Sequence, residues 1–224
     1  MTAFAPLAEL SIGDAFTRRD LPAGFLVATP GAARDRVFLV ESGRLRIYLA
    51  REGRAQTLIY LEPGDIYATH TPTYIETVAP TVLHEVATSD FARRMCDSPA
   101  AVGRVVRVLG RLLERTVTLV EDLALHDVPS RLARFLVRLA ERRGKAGDGG
   151  IRIALDLGTE DIASLLGTTR QTVSTLLNQW VREGLIRRDG RRVLTVLSVA
   201  RLRQLAEGEV PATVGRPTDR AGPG

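Results

Sequence analysis

Four polar side chains, Arg170, Gln171, Ser174 and Asn178, fall on one side of the segment Leu157–Ile186, LGTEDIASLLGTTRQTVSTLLNQWVREGLI. Guanidinium and carboxamide groups grip a base edge with two hydrogen bonds at once, Arg on guanine and Asn or Gln on adenine. On the other side Val173, Leu176, Leu177 and Trp180 recur at helical spacing and point inward. A short helix from about Glu160 to Leu166 precedes them, with Ile162, Ala163, Leu165 and Leu166 on one face. Gly167 supplies the turn, because glycine adopts a positive φ without steric cost. Thr168 or Thr169 caps the second helix, and Gln171, three residues after Thr168, completes a capping box. The pattern is a helix-turn-helix that sets Thr169, Arg170, Gln171 and Ser174 where a recognition helix meets the major groove. A plain helical hairpin with a polar face is the alternative.

The following residues decide between the two. Ile186 leads into RRDGRRVLTV, two short runs around Asp189-Gly190, which predicts a two-residue hairpin and hence a winged helix. Arg187, Arg188, Arg191 and Arg192 give that wing enough positive charge to lie against phosphates, with Arg188 and Arg191 as the expected DNA contacts. Charge is distributed accordingly. Residues 128–224 hold 17 Arg and Lys against 10 Asp and Glu, whereas residues 1–127 hold 14 against 16. The basic excess sits with the helix-turn-helix, as a nucleic-acid partner requires.

Positioning this element falls to the rest of the chain. From about residue 15 to 90, short strands alternate with turn signals: Val37–Val40, Arg44–Leu49, Thr57–Leu61 and Thr81–Ala87, with Pro63-Gly64-Asp65 as a tight turn. Even spacing of short strands predicts a β-roll or barrel. Past Ser98 the texture changes. Val102, Val106, Leu109, Leu113, Val117, Val120 and Leu123 recur every three or four residues from Pro99 to Leu125, predicting a long helix whose narrow apolar seam would pair two copies. Packing of that helix on its own domain is the other reading. Asp127 and Pro129 then cap and start a helix over Ser130–Arg143, making Asp127 a hinge; Lys145–Gly150 reads as a loop.

The expected fold class is α+β. A β-roll effector domain takes 1–97, the dimerisation helix and hinge 98–127, and the winged helix-turn-helix 128–207. The stretch 208–224 is expected to be disordered, being rich in Gly, Pro and Thr. Nothing approaches 18 consecutive apolar residues and no secretory leader is visible, so a cytoplasmic protein with no membrane partner is expected. A single cysteine, Cys96, excludes an internal disulfide and a cysteine-ligated iron–sulfur cluster; it reads as a small buried apolar residue. Three scattered histidines, none in an H-x-H pair, argue against a metal oxygenase and against an enzyme. His84 reads as structural within its strand, and His126 as a hinge residue.

Together, GRLRIYL (Gly43–Leu49), LEPGD (Leu61–Asp65), VEDLALHDVPSRLARFL (Val120–Leu136) and the helix-turn-helix resemble the cyclic-AMP receptor/FNR superfamily of transcription regulators. The resemblance runs to about residue 207. It implies a homodimer joined through the 98–127 helix, double-stranded DNA with a two-fold operator, and RNA polymerase as a further partner. A cyclic nucleotide needs a cation for its phosphate, yet no Lys or Arg lies between Arg54 and Arg93.

Within the superfamily the chain is most similar to the haem-containing carbon-monoxide sensors. That resemblance implies haem b, with His70 in GDIYATHT as an iron ligand. It places the CO pocket on Val106, Leu109, Gly110 and Leu113 of the dimer helix, an apolar site that offers the ligand no hydrogen bond. The second axial ligand would be the N-terminal nitrogen of Thr2, once Met1 is removed, from the partner subunit; a side chain in its place stays open. Ala68 stands where the founding type has a ligating cysteine, so no thiolate redox switch is expected. A same-fold regulator answering to another gas, or to a small molecule without haem, is the alternative.

Overall fold

A computed structural model describes residues 16–31, 35–96, 99–147, 149–190 and 192–208. The chain divides into two compact units, one comprising residues 1–124 and 159–170, the other 125–158 and 171–224.

The first unit is built on two four-stranded antiparallel sheets. One has the order β1 (Thr17–Leu21), β8 (Thr81–Ala87), β3 (Arg36–Ser42), β6 (Ile66–Ala68); the other β2 (Leu26–Ala28), β7 (Tyr74–Thr77), β4 (Leu45–Arg51), β5 (Arg54–Leu61). Alternation puts Leu45, Ile47, Leu61 and Ile75 of one sheet, and Phe38, Val40 and Leu83 of the other, into a common core. The Pro63-Gly64-Asp65 turn joins β5 to β6, with Gly64 at a φ of 91° that a side chain would resist. Helix α1 (Thr88–Cys96) follows β8, and α2 (Pro99–Leu125) follows α1.

Helix α2 carries two apolar stripes. Val108 and Leu112 are buried in the β-roll core, with Val105 packed against it, and Leu119 continues the buried line. Arg115 on the same face donates from Nη1 to Asp65 Oδ2 at 3.0 Å, and that carboxylate oxygen also accepts from the Glu62 amide at 3.0 Å. The other stripe is the expected seam: Val102, Val106, Leu109, Leu113, Val117, Val120 and Leu123 are all exposed. One face of this helix therefore packs on its own domain, and the other is left exposed.

The second unit contains α3 (Val128–Arg143), α5 (Arg170–Arg182) from its second residue on, α6 (Val199–Glu207) and a sheet of order β11 (Ile186–Arg188), β12 (Val193–Val196), β10 (Gly150–Ala154), β9 (Lys145–Gly147). The short helix α4 (Thr159–Leu165) falls in the first unit. Asp127 is the N-cap of α3, its Oδ1 accepting from the Ser130 amide at 2.9 Å, so the helix begins two residues earlier than the sequence suggests.

Three expectations are corrected. Lys145–Gly147 is a strand paired with Gly150–Arg152 rather than loop; it is exposed throughout and so lacks any apolar alternation to betray it. The wing is not a two-residue hairpin: Arg188 pairs with Leu194, and the Asp189 amide donates to the Val193 carbonyl at 3.0 Å, closing a longer turn. Cys96 is exposed, because its helix α1 buries no residue. Thr2, Arg191 and residues 209–224 lie outside the described residues.

Candidate functional site

Helix α5 is positioned by burial of one side. Val173, Leu177 and Trp180 are almost fully buried and Leu176 is half-buried, which leaves Arg170, Gln171, Thr175 and Asn178 exposed and Ser174 half-exposed. Gly167, at φ 63°, makes the bend before it, and the Thr168 amide donates to the Ala163 carbonyl at 3.0 Å to close α4. Thr169 is exposed at the start of α5. On the wing Arg188 is exposed. Arg187 is held instead by Asp189, its Nε donating to Oδ1 at 2.7 Å. Arg187, and then the Thr195 hydroxyl, keep the Asp189 carboxyl below the usual carboxylate range. One wing arginine thus shapes the turn while its neighbour stays outward.

His70 lies in the β6–β7 connection, and strand register explains its surroundings. In the β3–β6 ladder Val37 faces Ala68, so continuing outward brings Asp35 opposite His70. In the β3–β8 ladder Arg36 faces Ala87, which brings Asp35 opposite Thr88 as well. Asp35 Oδ1 is 3.0 Å from His70 Nδ1 and accepts from the Thr88 hydroxyl at 2.5 Å. The Thr88 hydrogen bond, and then His70, hold the Asp35 carboxyl below its ordinary value. With Nδ1 engaged, the exposed imidazole has Nε2 left to act as a donor atom. A carboxylate on the remote ring nitrogen is the usual way of orienting a metal-bound histidine.

Spacing alone could not have found Asp35, 35 residues away. The register of β3 against β6 could have, had it been known. The expected pocket residues Val106, Leu109, Gly110 and Leu113 share the outer face of α2, where Val106 is 60% and Leu113 65% exposed. A methyl group added at Gly110 would meet open space. His70 takes its hydrogen bond from the β-roll rather than from α2. His84, by contrast, is tied to Glu41 through Nε2 at 2.5 Å within the sheet, in keeping with a structural role.

Residues 130–205 match the Crp-like helix-turn-helix domain. Over 183 residues, 78% of this chain and 82% of the relative, the sequence is 33% identical to a CRP-like cAMP-activated global transcriptional regulator of Mycobacterium tuberculosis. The chain belongs to the CRP/FNR family of transcription regulators. Its members bind DNA as dimers, and the family is not one of enzymes.

Among solved structures, the regulator is similar to a doubly substituted CooA from Carboxydothermus hydrogenoformans, at a TM-score of 0.83 and 37% identity, covering 89% of this chain and 90% of that one. It is also similar to the reduced (FeII) CO-sensing protein of R. rubrum, at a TM-score of 0.50 and 31% identity, covering 89% and 98%. The β-roll, long helix and C-terminal helix-turn-helix expected from the sequence are the family fold. Among the described residues no helix is long and apolar enough to cross a membrane.

Proposed function

We propose that the regulator responds to carbon monoxide through a haem held by His70, and that it binds a two-fold operator as a homodimer. The observation that carries this reading is His70 itself, an exposed imidazole oriented through Nδ1 by Asp35 with Nε2 left for iron. The similarity to CooA supports it. A cyclic nucleotide is the competing effector, suggested by the cAMP-activated relative. Against it stands the composition of residues 55–92, which include β6, β7 and their connections and contain no Lys or Arg to neutralise a phosphate.

Ferrous haem, when bound, would supply an iron that takes up CO. The chain's own residues do the rest. His70 would hold the iron and Asp35 would fix the ring. Val106, Leu109, Gly110 and Leu113 would form an apolar wall when two copies close their outer α2 faces. The N-terminal nitrogen of Thr2 is the second ligand implied by the CO-sensor resemblance. At the operator, Arg170 would take guanine with Gln171 and Ser174 beside it. Thr169, Arg188 and Arg191 would lie against the backbone.

The test is an absorption spectrum of the purified protein as isolated, after dithionite and after CO. A Soret band that shifts with CO in the wild type, and is altered or lost in His70→Ala, supports the reading. A protein that takes up no haem on reconstitution but binds cyclic AMP would overturn it in favour of the nucleotide.

A further inference from the structure

The outer face of the β2-β7-β4-β5 sheet carries a series of side chains that neither the core nor the haem site uses. Arg46 and Tyr48 of β4 sit opposite Glu76 and Tyr74 of β7. The Tyr48 and Tyr74 rings stack with centroids 5.1 Å apart and planes 16° from parallel. The Arg46 guanidinium lies 4.5 Å from the Tyr48 ring centroid, which fixes its plane. So oriented, it donates from Nε to Thr57 Oγ1 at 2.8 Å and from Nη2 to Ser164 Oγ at 2.7 Å.

Ser164 lies on α4, the first helix of the helix-turn-helix. Its hydroxyl donates to the Ala55 carbonyl at 3.0 Å, so the proton between Thr57 Oγ1 and Ser164 Oγ, 2.9 Å apart, comes from Thr57. Every hydroxyl proton then has an acceptor. Gln56 Nε2 adds a hydrogen bond to the Leu165 carbonyl at 3.2 Å. Thr57 is fully buried in this contact region, a place where an unpaired hydroxyl would be costly. The arrangement is a polar clasp between the β4–β5 hairpin and α4, and all of it lies within one compact unit.

The clasp also has a far end. Tyr74 opens strand β7 four residues beyond His70 along the chain, and from Tyr74 the contacts run through Tyr48 and Arg46 to Ser164. None of these residues is on α2. We infer that Arg46 is a positioning residue, which seats the first helix of the helix-turn-helix on the β-roll and passes to it displacements of the strand leaving His70. This second link rests on the proposed effector site for its input; the seating of α4 does not. A lysine at 46 would lack the planar guanidinium that stacks on Tyr48 and aims Nε and Nη2 separately at Thr57 and Ser164.

Hydrogen exchange on the full-length protein, read by mass spectrometry over residues 159–168, tests both parts. In the first arm, without CO, wild type is compared with Arg46→Met, which keeps the stem, with Ser164→Ala, and with the double variant. Each single variant should speed exchange of α4 several-fold, and the double variant should add little more. Unchanged or fully additive exchange overturns the seating role.

The second arm compares ferrous protein with and without CO. Wild-type α4 should change its exchange on CO, and Arg46→Met and Tyr74→Leu should abolish that change while the Soret shift and the α2 response persist. An α4 that ignores CO in the wild type, or still responds in Arg46→Met, overturns the link. Failure to take up haem instead overturns the proposed effector, and the first arm alone then decides what Arg46 does.

Discussion

The two faces of α2 each carry an apolar row, in opposite circumstances. Val108 and Leu112 lie inside the β-roll at 8% exposure, and Arg115 on that side is neutralised by Asp65. One residue further along, Leu109 and Leu113 are 50% and 65% exposed. Residues of the first kind are accounted for by the fold of one protomer. Those of the second carry apolar area that the fold leaves uncovered, and we propose that this seam of seven residues is where another chain packs. The same division separates Arg187, spent on Asp189, from Arg188, and His84, spent on Glu41, from His70.

Substitutions should sort along that division. The largest effect is expected from Leu109→Asp combined with Leu113→Asp, which would bury unpaired carboxylates at the seam at a cost of several kcal/mol. Sedimentation should show dimer becoming monomer with operator binding lost, while far-UV circular dichroism keeps its wild-type shape. A variant that stays dimeric would break the comparison. Leu112→Ala, on the inner face, should cost about 2–5 kcal/mol of unfolding free energy by denaturant titration and leave the dimer intact at concentrations where the protein is folded.

Arg170→Ala should cost roughly 1–3 kcal/mol of operator affinity and relax one base position, measured by binding to a panel of single-base variants. An equal loss on every sequence would make it a phosphate contact instead. Asp127→Ala removes a cap and should cost about 1 kcal/mol. The Ser130 side chain and amide hold the Asp127 carboxyl below its ordinary value of 3.8. Its contribution is therefore complete above that pH and fades as the pH falls through the depressed folded value. Asp127→Asn should flatten that part of the acid unfolding curve.

Periodicity made much of this architecture legible. The outer seam of α2, the buried side of α5 and the Asp127 cap are all local patterns, and the expected helix from Pro99 to Leu125 is the one observed. What stayed hidden was non-local or unpatterned. Strand β9 is exposed on both faces and leaves no alternation to detect. The inner stripe of α2 was masked by the outer, because two interleaved apolar rows look like one thick one. Asp35 meets His70 only through the register of β3 on β6, and Arg46 meets Ser164 across 118 positions. Long-range pairs of polar residues have no signature in the order of a single chain.

Helix α2 also has a mechanical character. A rod held by an apolar row on one side and an ion pair to the β5–β6 turn cannot spin about its own axis without tearing both loose. Roll is the freedom it has lost. In the proposed dimer, slip along the outer seam, one rod past its twin, would remain available, and whatever slides would carry its whole β-roll as cargo.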